Sequence, residues 1–146
     1  MIANLVRYLA SMLPIPQEFR AKVYAWTGVK VGSQVIIDRG VQITKAENVE
    51  IGDRACICAY VSILGEITAV HSRLEKYYGI YKSEKVVIGE DAYIGVKATI
   101  LPGVVVGKMA TVGANSLVTE SVPDYAVALG VPARVFLKRT PPDETV

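Results

Sequence analysis

A branched apolar residue returns at every sixth position through most of this chain: Val31, Ile37 and Ile43, then Ile51, Ile57 and Ile63, then Ile88, Ile94, Ile100, Val106, Val112 and Val118. A period of six fits neither the 3.6 of an α-helix nor the two-residue alternation of a half-buried strand. It fits a coil of short strands in which three hexads close one turn, so that residues eighteen apart stack: Ile88 on Val106, Ile94 on Val112, Ile100 on Val118. Branched side chains suit a pleated surface. The residue just after the apolar one is often glycine (Gly32, Gly52, Gly89, Gly95, Gly107, Gly113), which suits a corner where the backbone turns tightly or where a Cβ would clash. Each buried Val or Ile contributes about 1.5 to 3 kcal/mol before chain entropy is subtracted, so the stack is stable only collectively.

With 146 residues the chain makes one domain of ordinary size. Sixteen Lys and Arg against fourteen Asp and Glu leave a net charge of +2 with no basic run, which argues against nucleic acid as a partner. The repeat over residues 29–137 accounts for the 51% hydrophobic content, and no segment has the apolar length of a spanning helix. Cys56 and Cys58 stand two apart, where a disulfide would close too small a ring for a strand. They read as packed thiols in a reducing, cytoplasmic setting.

Residues 1–28 stand outside the repeat. Ile2, Leu5, Leu9, Met12 and Leu13 fall at helical spacing before Pro14 and Pro16, and Phe19, Val23 and Trp26 continue a second short amphipathic stretch. A helical cap over the open end of the coil is expected here, since such a coil must cover its terminal core. Arg7 interrupts the apolar stretch and argues against a signal peptide. A weak interfacial membrane contact, with a membrane-peripheral location, is the rival reading of the same residues, because their polar face is thin.

The repeat breaks twice: two extra residues separate Ile43 from Ile51, and Ile63 and Ile88 lie twenty-five apart. Residues 68–85, TAVHSRLEKYYGIYKSEK, are polar and aromatic and lack the hexad frame, as expected of an extruded loop. They hold the only histidine, His71. Residues 138–146 read as a C-terminal tail.

The stretch VVIGEDAYIGVKATILPGVVVGKMATVGANSLVTESVPDYAVALGVPARVF resembles the hexapeptide-repeat acyltransferases, in particular the branch of maltose and galactoside O-acetyltransferases, and the specific part is ALGVPARVF after SLVTESVP. The resemblance covers about residues 29 to 137. It implies an all-β fold, a left-handed parallel β-helix, whose hand spacing alone does not give, and a homotrimer with sites between subunits. It also implies transfer of acetyl from acetyl-CoA to a hydroxyl of a small-molecule sugar or sugar conjugate, as in polysaccharide biosynthesis.

By the same resemblance His71 is the general base, a role that suits an imidazole titrating near neutrality, and the Val96 N–H stabilises the oxyanion. The donor contacts fall on Gly95, Val96, Gly113, Ala114, Thr119 and Arg134. Relatives often carry lysine after that threonine, whereas this chain has Glu120, which leaves the phosphates to cations such as Lys138 or Arg139. Asp38 falls where the sugar enzymes hold their acceptor with asparagine. It binds a sugar hydroxyl, orients a neighbouring subunit's His71, or is a turn residue. Tyr81, with Tyr77 and Tyr78, suits the apolar face of a pyranose. The rival readings are N-acetylation of a carrier-linked amino sugar and a β-helix scaffold without chemistry. No metal is expected: the zinc site of carbonic anhydrases on this fold needs three histidines, and this chain has one.

Overall fold

The computed structural model describes residues 2–143. The first residue of the expected cap and the last three of the expected tail lie outside them. The chain is mostly β, with three short helices, α1 (Ile2–Met12), α2 (Gln17–Trp26) and α3 (Arg73–Tyr78), and a 3-10 turn over Ala46–Asn48. The all-β expectation is corrected to that extent.

Three parallel sheets wind together, each turn of the coil giving one strand to each. The first stacks Lys30–Val31, Val49–Ile51, Val86–Ile88 and Val105–Val106. The second stacks Ile36–Ile37, Cys56–Ile57, Tyr93–Ile94 and Thr111–Val112, then Ala126–Gly130. The third stacks Gln42–Thr44, Ser62–Leu64, Thr99–Ile100 and Leu117–Val118. The eighteen-residue stacking holds in register: Ile88 faces Val106, Ile94 faces Val112 and Ile100 faces Val118. The register also crosses the long insertion, with Ile51 on Ile88, Ile57 on Ile94 and Ile63 on Ile100. These side chains point inward and are essentially unexposed, and together with Val35, Val41, Ala55, Val61, Ala92, Ala98 and Ala110 they make one continuous core.

The corners separate two jobs that the sequence pattern merges. The left-handed residue sits three places after the apolar one and is mostly not glycine: Gln34, Arg54, Asp91 and Met109 at one corner, Tyr60, Lys97 and Asn115 at the next. Glycine sits one place after the apolar residue because the coils stack closely there. A Cβ on Gly95 would lie 2.6 Å from the Ala114 nitrogen, and one on Gly52 would lie 2.7 Å from the Glu90 nitrogen, both of them backbone atoms. Close approach, not tight turning, is the reason for these glycines. The two extra residues before Ile51 are absorbed by the 3-10 turn, with Lys45 left-handed and Ala46 buried.

Helices α1 and α2 pack on the first coil through a polar network. Pro14 and Pro16 separate them, and α2 brings Ala21 and Tyr24 into the core. The Tyr24 hydroxyl donates to the Val41 carbonyl at 2.5 Å, and burial pushes its pKa up to about 12. Arg20, 3% exposed, donates to four carbonyls: Ala10 at 2.9 Å, Ile37 at 3.0 Å, Leu13 at 3.0 Å and Ile15 at 3.2 Å. One side chain thus satisfies carbonyls that the end of α1 leaves open and ties them to the first coil.

Residues 66–83 leave the coil after Gly65 as an arm. Glu66–Thr68 pairs antiparallel with Tyr81–Ser83, and α3 closes the tip. The loop expected over 68–85 is therefore an ordered ribbon and helix. Ser72 caps α3 by accepting from the Leu74 N–H at 3.1 Å, and Gly79 ends it in the left-handed conformation. The arm's base is held by Asn48, whose amide donates to the Gly65 carbonyl at 2.9 Å and the Ser83 hydroxyl at 3.0 Å. At the other end of the chain, Ala133–Lys138 turns back antiparallel on Ala126–Gly130 and extends the second sheet.

Candidate active site

One corner column, between the second and third sheets, collects most of the residues singled out in the sequence. Backbone hydrogen bonds stack Asp38 over Ile57 (2.9 Å), Cys58 over Ile94 (3.0 Å), Gly95 over Val112 (2.8 Å) and Asn115 over Val96 (2.9 Å). Asp38, Cys58, Gly95–Val96 and Gly113–Ala114 thus occupy equivalent corner positions in four successive coils. The Val96 N–H donates to no acceptor among the described residues. At three other corners the equivalent N–H is taken by a carboxylate: Ser33 by Asp53 at 2.7 Å, Arg39 by Asp38 at 2.7 Å, and Lys108 by Asp124 at 2.8 Å. An N–H without an acceptor, on a backbone fixed by coil stacking, is a donor ready for a developing negative charge, and the Ala59 and Ala114 N–H groups of the same column likewise meet no acceptor among the described residues.

Asp38 is half-buried and folds back to accept from its neighbour's N–H, which is the turn role named above. Its second oxygen makes no bond to another residue among those described. Cys58 in this column and Cys56 on the strand that leads into it are free thiols, and burial, with Cys58 beside it, pushes Cys56 up to about 11. The sequence reading gave Cys58 only a packing slot. Its place between Asp38 and Val96 becomes visible once the register is known.

Thr119 lies at the next corner, after Leu117–Val118, and Arg134 on the returning strand opposite Leu129. Arg134 makes an open ion pair with Glu120, 3.8 Å apart with both side chains mostly exposed. The departure from the lysine pattern therefore has a structural consequence, since Glu120 competes for the guanidinium. Arg139 donates to the Thr111 hydroxyl at 3.0 Å, which places it over the second sheet, while Lys138 forms the end of the returning strand.

His71 stands apart from this column. It lies at the tip of the arm, exposed, in the left-handed conformation (φ 67°), beside an open hollow of about 420 Å³ lined by Val70, Ser72, Arg73, Glu75 and Lys76. Among the described residues it makes no hydrogen bond or ion pair. Tyr81 is exposed on the arm's second strand and its hydroxyl donates to Glu66 at 3.4 Å, while Tyr77 and Tyr78 are exposed on α3. One protomer brings Asp38, Gly95, Val96, Gly113 and Ala114 together but does not bring His71 or Tyr81 to them. The signal for an ordered arm was present in Ser72-x-x-Glu75 with Gly79, the pattern of a capped helix. Arg20 and Tyr24 carry no such signal, because only the packing of α2 on the coil makes them buried partners.

Three parallel sheets wound as one coil, with an arm extruded between two of its turns, define a β-helix of hexad repeats. Residues 85–120 match the family profile described as the hexapeptide repeat of succinyl-transferase. The chain is 30% identical over 138 residues to the putative colanic acid biosynthesis acetyltransferase WcaF of Escherichia coli (strain K12), covering 83% of this chain and 75% of that protein. It is 33% identical over 110 residues to the galactoside O-acetyltransferase of the same organism, covering 75% of this chain and 54% of that one. The solved galactoside acetyltransferase in complex with coenzyme A superposes with a TM-score of 0.72 and 26% identity, covering 94% of this chain and 78% of that one. The chain belongs to the hexapeptide-repeat acyltransferase family, whose coil is left-handed. It spans between 37% and 62% of the length of three curated relatives, the galactoside O-acetyltransferase among them.

Proposed function

We propose that this chain is an acetyl-CoA-dependent acetyltransferase that moves acetyl to a hydroxyl of a sugar or sugar conjugate, with His71 as general base. The observation that carries the reading is the uncapped Val96 N–H in a corner column with Asp38 and Ala114, in a fold shared with an acetyltransferase solved with coenzyme A. His71 takes the proton of the acceptor hydroxyl as its oxygen bonds to the thioester carbonyl carbon. Val96 donates to the resulting oxyanion. Collapse breaks the carbon–sulfur bond, and His71 returns the proton to the leaving thiolate, so no covalent enzyme intermediate is needed.

The small side chain of Ala114 keeps the corner low where the donor's arm would pass, and Arg134, freed from Glu120, would meet a phosphate. Asp38 would bind a sugar hydroxyl through the oxygen not committed to its turn.

Because the arm and the corner column do not meet within one chain, the site is completed between copies, in a homotrimer. Support comes from α3, which buries none of its own residues yet is capped at both ends. The helix pair at the first coil is the cap of the open end. The setting is taken as reducing and cytoplasmic, in which both thiols stay free.

The test is His71→Ala assayed by thiol release from acetyl-CoA over a panel of sugars and sugar conjugates. Turnover should fall by roughly 100- to 10,000-fold with donor affinity unchanged. A variant that retains most of its rate refutes the base, and an amide product in place of an ester refutes the hydroxyl acceptor.

A further inference from the structure

In the coil itself, residues 30–65 and 84–118, the positive side chains are paired with carboxylates except at one corner. Lys30, Lys45, Arg54, Lys85 and Lys108 each meet a glutamate or aspartate, as Lys85 meets Glu50 at 2.5 Å. Arg39 and Lys97 have no carboxylate partner among the described residues. Both stand at the corner that carries Asp38 and Val96, and backbone hydrogen bonds fix them there. The Gly40 N–H donates to the Ser11 carbonyl at 2.8 Å, the Tyr60 N–H to the Arg39 carbonyl at 3.0 Å, and the Lys97 N–H to the Ala59 carbonyl at 3.0 Å. Lys97 thus takes in the third coil the left-handed position that Tyr60 takes in the second. The Arg39 guanidinium lies over the Tyr60 ring, 5.8 Å from its centre. That ring rests on Gly40, where a Cβ would stand 2.3 Å from a ring carbon. An arginine stacked on an aromatic face is pre-organised, with its N–H edges turned to a planar anion. Against these two cations the same corner of the four coils carries one carboxylate, Asp38, which accepts from the Arg39 N–H at 2.7 Å.

We infer that the acceptor carries an anionic group, a carboxylate or a phosphate, which Arg39 and Lys97 bind beside the hydroxyl that receives acetyl. This deepens the acetyl-transfer reading and rests on it. The topology separates these cations from the one assigned to the donor. Arg39 follows Ile36–Ile37, one edge of the second sheet, and Arg134 stands on Ala133–Lys138, the other edge, with Val96 after a strand between them. A donor whose phosphates meet Arg134 and whose thioester reaches Val96 leaves Arg39 on the acceptor's side. Lys97 adjoins Val96 in the chain. Arg39 stands two coils from Val96, about 10 Å along the stack, a span that a sugar ring with a charged substituent bridges. Both cations are exposed, so they supply selectivity for charge through a fork and a point charge, while Asp38 takes a hydroxyl.

The full chain is titrated by nuclear magnetic resonance with glucuronic acid, glucose 1-phosphate and methyl glucoside, and the same sugars are assayed for thiol release at saturating acetyl-CoA. At least one anionic sugar should bind about tenfold more tightly than methyl glucoside, or better, and the advantage should shrink with salt. A preference confined to one of the two names the group as carboxylate or phosphate. Arg39→Gln/Lys97→Gln should lower the ratio of anionic to neutral binding at least about tenfold, whereas Lys30→Gln, at a paired cation of the first sheet, leaves that ratio unchanged. Should the double variant melt early, Lys97→Glu alone gives the same readout from an exposed side chain with no partner to lose. Methyl glucoside binding as tightly as both anionic sugars, or an unchanged ratio in the variants, overturns the inference. So does loss of acetyl-CoA affinity or of an oligomer in the double variant, which would assign the two cations to the donor or to a subunit contact. Anion binding that depends on Arg39 and Lys97 without thiol release to any sugar would sink acetyl transfer and keep the anion site; thiol release to methyl glucoside alone would do the reverse.

Discussion

Arg20→Met tests whether the polar network under α2 holds the N-terminal helices on the coil. The methionine keeps the unbranched apolar stem and removes all four donors. Of the four carbonyls, that of Leu13 keeps the Ile15 N–H at 2.9 Å, and that of Ile15 lies at the same edge, where Leu13 is 51% exposed and water can reach it. Those of Ala10 and Ile37 remain enclosed, since Ala10 is 5% exposed and Ile37 is not exposed at all. Two buried acceptors left unpaired cost about 1 to 3 kcal/mol each, and relief from burying a guanidinium offsets part of that, so a net loss near 3 kcal/mol is expected. For a domain of this size that lowers the melting temperature by roughly 6 to 12 °C. The assay is far-UV circular dichroism at one fixed protein concentration, because an oligomer's melting point depends on concentration, together with hydrogen exchange at the amides of α1. Arg20→Lys should fall between the two, since one ammonium cannot span four acceptors. A loss under about 1 kcal/mol with unchanged protection of α1 would mean that apolar contacts through Ala21 and Tyr24 hold the helices without Arg20.

Ala114→Leu fills the corner above Gly95 and should weaken acetyl-CoA binding at least about tenfold in calorimetric titration, while Ile36→Val on the second sheet leaves it unchanged. Equal affinities in folded proteins would send the donor elsewhere. Acid should destabilise the fold in a defined way. The Lys85 ammonium holds Glu50 below the usual carboxylate range, the Ser33 N–H does so for Asp53, and the Arg54 guanidinium for Asp91. The unfolded chain therefore takes up protons first as pH falls; this stabilisation is present above about pH 4 and lost as pH drops through the depressed folded values. Asp53→Asn/Asp91→Asn should flatten the acid side of the melting-temperature profile, and an unchanged slope would remove these carboxyls from the account.

The hexad period by itself determined the coil, its turn of three hexads and its register, because a stacked coil places every eighteenth residue in one column and only branched apolar side chains fill a column with no exit to water. The break after Ile63 likewise located the arm, since a segment without the hexad frame cannot contribute to that core. Tertiary structure decided what local pattern does not encode. Glycine after the apolar residue reads as a turn former, yet its reason is the backbone of the coil above, at 2.6 Å from where a Cβ on Gly95 would stand. Helical spacing marks Ile2, Leu5 and Leu9 as a face that should be buried, and the fold exposes them because Arg7 and Ser11 find partners in Thr27 and Gly40, residues distant in sequence. The corner column depends on which coil lies over which, so Cys58 came to stand between Asp38 and Val96 only through the register. His71 was legible as a residue type in a loop, but its distance from that column is a property of where the arm leaves the coil, and that is fixed by the Asn48 hydrogen bonds at the arm's base, which no spacing in the sequence announces.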